Sequence, residues 1–263
     1  MSARFLTDDG CAIAYDYRPV AGQPVLILSP SLGTTMDLFE PQVEALGDHF
    51  SILRYDPRGH GASDVPAGGY SLDRLGRDVV ELLDHLGIER AHFAGVSLGG
   101  MVGQWLGYRA PERLDRLVLA NTSAYMGPPA GWASRIAAVT AQGMAALTET
   151  VIERWFTSDF RNAHPARVDH ARAMLLATDP QGYAGCSAAI RDMDLRSTAA
   201  CIKVPALVVG GLRDPATPPQ HALFLAEAIG GARLVELEAA HLANLEQPFA
   251  FNAAVADFLG EAA

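Results

Sequence analysis

Thiols are scarce in this chain. Its three cysteines, Cys11, Cys186 and Cys201, are too few and too scattered for a disulfide scaffold, and no histidines stand at ligand spacing from them to make a structural zinc site. Buried thiols in a reducing cytoplasm are the expectation they leave. Positive charge is short as well: 20 Lys and Arg stand against 30 Asp and Glu, for a formal net charge of −10. No basic cluster interrupts that balance, so a nucleic acid backbone would be repelled. Nothing approaches the ~20 consecutive apolar residues that a membrane helix needs, and the opening MSARFLTDDGCAIAYDYRP holds no apolar stretch of signal-peptide length. A soluble, cytoplasmic protein with neither nucleic acid nor membrane as partner is expected. Gly95, Gly99 and Gly100 do not have the dinucleotide-binding spacing, no glycine-rich phosphate loop ends in Lys and Ser or Thr, and paired-histidine metal motifs are missing. The expected chemistry therefore uses no cofactor and no metal.

What the chain does have is apolar mass. Hydrophobic residues make up 49% and charged ones 19% of 263 residues, enough for one full core rather than two equal domains. RFLT, the turn DDG and CAIAYDYR alternate like an exposed antiparallel edge hairpin. PVLILS and FSILRYD are short continuous apolar runs of the kind found in buried parallel strands, and MDLFEPQVEAL between them has helical spacing. SLDRLGRDVVELLDHLGI opens on a capping serine, Ser71, and closes on Gly87, with Leu72, Leu75, Val79, Leu82, Leu83 and Leu86 as its stripe. AHFAGV, SLGGMVGQWLGYRAP and RLDRLVLANT continue as strand, helix and strand. This rhythm predicts an α/β fold, a mostly parallel sheet with helices on both faces, and ligands at the carboxyl ends of its strands.

The rhythm breaks after Tyr125. Residues 125–198 hold helical patches such as SRIAAVTAQGMAALTETVIERWF and ARVDHARAMLLA but no convincing strand, which predicts an inserted helical cap. PALVVGG, PPQHALFLAEAIG, ARLVELE and PFAFNAAVADFLG then resume the alternation. The expected sheet domain is thus 1–124 together with 199–263.

Gly95-Val96-Ser97-Leu98-Gly99 lies between a strand and an apolar helix. A serine on so sharp a turn needs small neighbours, and its hydroxyl projects from the top of the sheet beside a helix amino end. A serine hydroxyl is a weak nucleophile near neutrality, so it needs a base, and the base needs a group that holds its tautomer. Asp214, just past the strand ending Val208-Val209-Gly210-Gly211, and His241, in the loop after ARLVELE, are in the chain order this chemistry requires. His60, in a glycine-rich turn, is a weaker rival for the base, and Asp192 and Asp194 are poorer candidates for the carboxylate because they fall in the cap. His49, His85, His92, His164, His170 and His221 read as surface or packing residues. The negative oxygen formed on attack needs backbone donors. The Leu98 amide is one. Pro30 has no N–H, so the second falls to Leu32, with Ser31 as the alternative. Asp56 and Arg58 are expected to form a local network that fixes their loop beside the catalytic turn.

SPSLGTT, YDPRGHGASD, GVSLGG, GGLRDPATPP and AAHLANLEQPFAFNAAVADFL, in this order, resemble the alpha/beta-hydrolase superfamily over nearly the whole chain. LSPSLGTTMDLFEPQVEAL, RYDPRGHGASDVPAGGYSLDRLGRDVVELLDHLGI and AHFAGVSLGGMVGQWLGYRAPERLDRLVLANTSA are most similar to the 3-oxoadipate enol-lactonases. Pro30-Ser31 departs from the asparagine-serine pair common before LGT in that family. The resemblance implies an eight-stranded alpha/beta-hydrolase fold with a cap after the sixth strand, a Ser97, His241 and Asp214 triad, and Leu32 as the oxyanion position. It also implies hydrolysis of 3-oxoadipate enol-lactone within aromatic catabolism, on a small anionic lactone or ester. In the cap, Arg135 is the candidate partner for a substrate carboxylate, with Trp132 and Trp155 as walls. Three alternatives share the scaffold: an esterase or lactonase on another small substrate, a cofactor-free perhydrolase, and a noncatalytic binding protein. The sequence leaves a homo-oligomer open.

Overall fold

The structure, a computed structural model, describes residues 3–260, so positions 1–2 and 261–263 of the expected sheet domain lie outside the described residues. Eight strands form one sheet: β1 (Ala3–Leu6), β2 (Ala12–Arg18), β3 (Val25–Ser29), β4 (Ser51–Tyr55), β5 (Ala91–Val96), β6 (Leu114–Ala120), β7 (Ala206–Gly211) and β8 (Arg233–Leu237). Their order is β1-β2-β4-β3-β5-β6-β7-β8, with β2 antiparallel to both of its neighbours, β1 and β4, and every other neighbouring pair parallel. The short apolar runs become the inner strands because each is covered on both faces. β4 and β5 are buried along their whole length. The initial hairpin is less exposed than its alternation implies: Ile13 and Ala14 on opposite faces of β2 are both fully buried, since β2 lies one strand in from the edge and both its faces are covered.

Helices α1 (Glu40–Leu46), α2 (Leu72–Leu86) and α3 (Leu98–Arg109) connect the first strands, α4 (Pro129–Gln142), α5 (Ala145–Trp155), α6 (Ser158–Ala163), α7 (Pro165–Ala177) and α8 (Pro180–Asp192) form a helical cap region, and α9 (Pro219–Ala228), α10 (Ala243–Glu246) and α11 (Pro248–Gly260) complete the sheet layers. α1 packs with α11, and α2 with α3. α2 begins where the Ser71 side chain accepts the Arg74 amide and ends on Gly87 in the left-handed region, at φ 66. The long cap pattern SRIAAV…RWF is two helices, because Gly143 at φ 75 ends α4. α6 and α8 were hidden in the sequence by weak periodicity and by the small residues of PQGYAGCSAAI. Among the described residues, no helix is long and apolar enough to cross a membrane.

The sheet order places the site. From β3 the chain moves to one side, to β4, and from β5 it moves to the other, to β6. A crevice opens beyond the carboxyl ends of β3 and β5, where this direction reverses, and Ser29 pairs with Gly95 at that point. The cap lies above it.

Candidate active site

β5 delivers its chain into a turn that Ser97 occupies at φ 56 and ψ −112. A side chain at positive φ is strained and persists only where the surroundings impose it. Here they do. A Cβ on Gly95 would stand 2.2 Å from the Gly99 backbone, and one on Gly99 would stand 2.0 Å from the Ser29 carbonyl. The Ser97 amide donates to Ala120 O at 2.9 Å and its carbonyl accepts Thr122 Oγ1 at 2.7 Å, so the end of β6 grips the turn on both sides.

Asp214 follows β7 by three residues and is buried under a full set of donors. Oδ1 accepts the amides of Ala216 (2.7 Å) and Thr217 (2.9 Å), while Oδ2 accepts Thr217 Oγ1 (2.6 Å) and Asn121 Nδ2 (3.1 Å) and pairs with His241 Nδ1 (2.8 Å). Burial pushes this carboxyl up, but the opposing charge of His241 and the hydrogen bonds from His241 and Thr217 outweigh it and hold Asp214 below the usual carboxylate range. With Nδ1 committed to Asp214, Nε2 is the His241 nitrogen left for other work. The loop carrying His241 is pinned on either side: Ala240 N donates to Glu246 Oε2 at 3.0 Å, and Leu242 N donates to the Trp155 carbonyl of the cap at 3.0 Å.

Ser97 and His241 line one cavity, together with Ser31 and Leu32 from the loop after β3. The structure brings the cap residues singled out from the sequence to the same cavity. Trp132 and Arg135 of α4 and Trp155 of α5 all face it. The Arg135 guanidinium lies 5.1 Å from the Trp132 ring centre and 6.0 Å from that of Tyr183, and Trp132 Nε1 donates to Met126 O at 3.1 Å. Leu98 contributes no side chain to the cavity. Its amide, first in α3, has no acceptor one turn back in the helix, whereas the Gly99 amide beside it donates to Pro30 O at 3.1 Å.

Several residues here escape a reading of the sequence. Asn121, at φ 44 just after β6, ties Asp214 to the Ala240 carbonyl (3.1 Å) and so joins the loops after three strands. Its only signal is its place at a strand end, in LVLANT. Thr217, Glu246, Arg154 and Tyr183 carry no local motif. Two expectations need correction. Asp56 and Arg58 do fix their loop, but through separate networks: Asp56 accepts the amides of Met36 and Ala62, both at 2.8 Å, while Arg58 forks onto Asp78 and Asp9. Cys201 is exposed, and only Cys11 and Cys186 are buried, because Cys201 ends a surface 3-10 turn.

A strained serine at a strand-to-helix turn, above the topological switch of a mostly parallel sheet and beside a histidine–carboxylate pair, defines the alpha/beta-hydrolase class. The family model described as alpha/beta hydrolase fold matches residues 24–248, and the chain belongs to that family, within its esterase and lactonase branch. It is 41% identical over 250 residues to the 3-oxoadipate enol-lactonase 2 of Acinetobacter baylyi, covering 95% of this chain and 94% of that one. A crystal structure of the enol-lactonase from Burkholderia xenovorans superposes with a TM-score of 0.96 at 42% identity, covering 98% of this chain and 100% of the other. A hydrolase from Pseudomonas aeruginosa superposes equally well, with a TM-score of 0.96 at 50% identity over 99% and 98% of the two chains.

Proposed function

We propose that this protein opens 3-oxoadipate enol-lactone to 3-oxoadipate by a serine acyl-enzyme route, in the β-ketoadipate branch of aromatic breakdown. The observation that carries the reading is the 2.8 Å His241–Asp214 hydrogen bond beside a cavity that Ser97 and His241 share. Ser97 Oγ attacks the lactone carbonyl while His241 Nε2 takes its proton, and Asp214 holds the ring and its developing charge. The amides of Leu98 and Leu32 receive the oxyanion. Collapse breaks the ring C–O bond. The enol oxygen leaves with the proton from His241, and it stays tethered because the leaving group and the acyl chain are one molecule. His241 then deprotonates water, the water attacks the acyl ester, and Ser97 Oγ departs with the returned proton.

The substrate carries a free carboxylate, and Arg135 supports an anionic ligand because its guanidinium lies against aromatic rings at the cavity wall. Trp132 and Trp155 cover the ring. The cap, taken as residues 125–198, encloses the reaction. The enol-lactonase names of the relatives favour this substrate over other small esters. Turnover of 3-oxoadipate enol-lactone against neutral lactones, with Ser97→Ala as the control, tests the reading. Fast opening of the anionic lactone and loss of all turnover in the variant are expected; equal rates on charged and neutral lactones would sink the substrate assignment.

A further inference from the structure

We infer that His60 is a positioning residue for the oxyanion loop: its Nε2 accepts the Gly33 amide at 2.9 Å and so locks the peptide that follows Leu32. The inference rests on the hydrolase reading, in which the Leu32 amide meets the transition state.

The loop after β3 closes on itself at Ser31, whose carbonyl accepts both the amide (3.1 Å) and the hydroxyl (2.8 Å) of Thr34. In a trans peptide the C=O and the next N–H point in opposite directions. Closing the turn on Ser31 O therefore aims the Leu32 N–H out of the turn. The next peptide, between Leu32 and Gly33, would be free to rotate without an acceptor for its N–H. His60 supplies that acceptor, so both peptide planes flanking Leu32 are held. Gly33 sits at φ 79, in the left-handed region that favours glycine, and a Cβ there would meet Leu175 and Tyr183 of the cap at 2.5 and 3.2 Å.

His60 is built as an acceptor, not a base. It is buried, and its Nδ1 faces the Arg58 carbonyl at 3.3 Å, which makes Nδ1 the protonated nitrogen and leaves Nε2 bare. Cys186 Sγ lies 4.0 Å from Nδ1. Burial lowers the His60 pKa to about 4, so the neutral ring persists at working pH. With both nitrogens occupied by backbone groups, His60 has no site for substrate proton transfer.

An oxyanion donor acts more strongly in the transition state than in the ground state. Loss of the His60 acceptor should thus lower kcat and leave KM alone. The test uses His60→Leu, which has no acceptor, His60→Asn, whose carbonyl is too short to reach Gly33, and His60→Gln, whose carbonyl reaches the Nε2 position. Hydrolysis of p-nitrophenyl acetate is measured with the dissociation constants of phenylboronic acid, which adds to the serine as a tetrahedral adduct, and of 3-oxoadipate. Leu and Asn variants are expected to lose about 10- to 100-fold in kcat and a similar factor in boronate affinity. KM and 3-oxoadipate affinity should stay within about 2-fold, and Gln should restore most of the loss. If His60→Leu fails to fold, the Asn and Gln pair carries the comparison. Wild-type boronate affinity in the Asn variant, or equal losses for boronate and 3-oxoadipate, would overturn the inference while Ser97-dependent turnover stands. Absence of Ser97-dependent turnover in the wild type would instead remove the hydrolase reading itself.

Discussion

Glu246 holds Thr157 of the cap and Ala240 of the His241 loop with one carboxylate. Oε1 accepts the Thr157 hydroxyl, and Oε2 accepts the amides of Thr157 (3.3 Å) and Ala240 (3.0 Å). Both residues are buried, so deleting the carboxylate strands two amide donors away from water. Each stranded donor costs about 1–3 kcal/mol. Glu246→Ala is expected to lower the unfolding free energy in urea by an amount in that range or above, and Thr157→Val by less, because it removes a single hydroxyl. Urea melts of the two single variants and of the double variant would check this. The double variant should fall short of the sum, since both changes break the same contact. Strict additivity would show that Glu246 and Thr157 are energetically independent.

Asn121 is expected to bear on rate more than on stability. Its amide steadies Asp214 Oδ2, and its backbone stands at φ 44, a strained conformation. Asn121→Ala is expected to lower kcat by about 10-fold with KM nearly unchanged, because the histidine–carboxylate pair loses alignment rather than substrate contact. Asn121→Asp puts a second carboxylate against Asp214, and one of the two must then hold a proton. Its pH–rate profile should therefore lose activity on the acid side at a higher pH than the wild type does. An unshifted acid limb in Asn121→Asp would show that this contact does not govern Asp214.

The convergence of Ser97, Asp214 and His241 at one end of the sheet is legible in the sequence because parallel strands all end on the same side. The Gly95 to Gly99 turn advertises its strain in glycines, and the other two follow strands short enough to recognise. The sheet is legible for the same reason: strands buried on both faces are continuous apolar runs, as in VLIL and LVLA. The cap was legible only as a break in that rhythm. α8 is rich in Gly, Ala, Ser and Cys, and it packs so closely that Gly182 and Gly59 leave no room for a Cβ on either, a requirement that local periodicity does not express. Asn121 and Glu246 act on loops more than 85 residues away in the chain. No short-range pattern can announce such contacts.

Arg58 lies buried between two carboxylates, forked onto Asp78 with two bonds of 2.7 Å and onto Asp9 at 2.9 and 3.1 Å. Paired in this way the charges are tolerable, but one alone is not. Arg58→Met leaves buried Asp78 with the Arg74 Nε bond of 3.1 Å in place of its fork, and a loss of up to about 3–5 kcal/mol is expected in chemical denaturation. Arg58→Met combined with Asp78→Leu should recover much of that loss. No recovery in the double variant would show that packing, not the stranded charge, sets the cost.

The low pKa of His60 makes stability pH-dependent with a definite sign. Unfolded, the ring titrates near 6.5; folded, near 4. Above pH 6.5 both states are neutral and His60 adds no pH dependence. Between those values the unfolded chain binds a proton that the folded one refuses, so stability falls as pH falls, by up to about 3 kcal/mol at pH 4 and below. His92 and His221 are shifted in the same direction by burial, so the His60 share is the difference between wild type and His60→Gln. Melting curves across pH 4–7 should show a shallower decline in the variant. Parallel curves would mean that His60 takes up its proton as readily in the folded state as in the unfolded one.

Arg135 and Arg154 both line the cavity, and among the described residues neither forms an ion pair. Most arginines of this chain do; Arg54, Arg74, Arg113 and Arg172, for example, each meet a carboxylate within 3.1 Å. An unpaired guanidinium at the wall of a pocket, in a protein of net charge −10, is a local attraction for an anion that the overall field would repel. Arg135 is the half-buried one and lies against Trp132 and Tyr183, so its bonds to a carboxylate would be screened less than those of the exposed Arg154. Arg135→Ala should therefore lower kcat/KM for an anionic lactone by about 10- to 100-fold while a neutral ester loses little. Arg154→Ala should lose less, and that loss should shrink as salt is raised from about 0.01 M to 0.15 M, where screening sets in. Equal losses on charged and neutral substrates would instead make both arginines part of the cavity wall, with no role in choosing an anion.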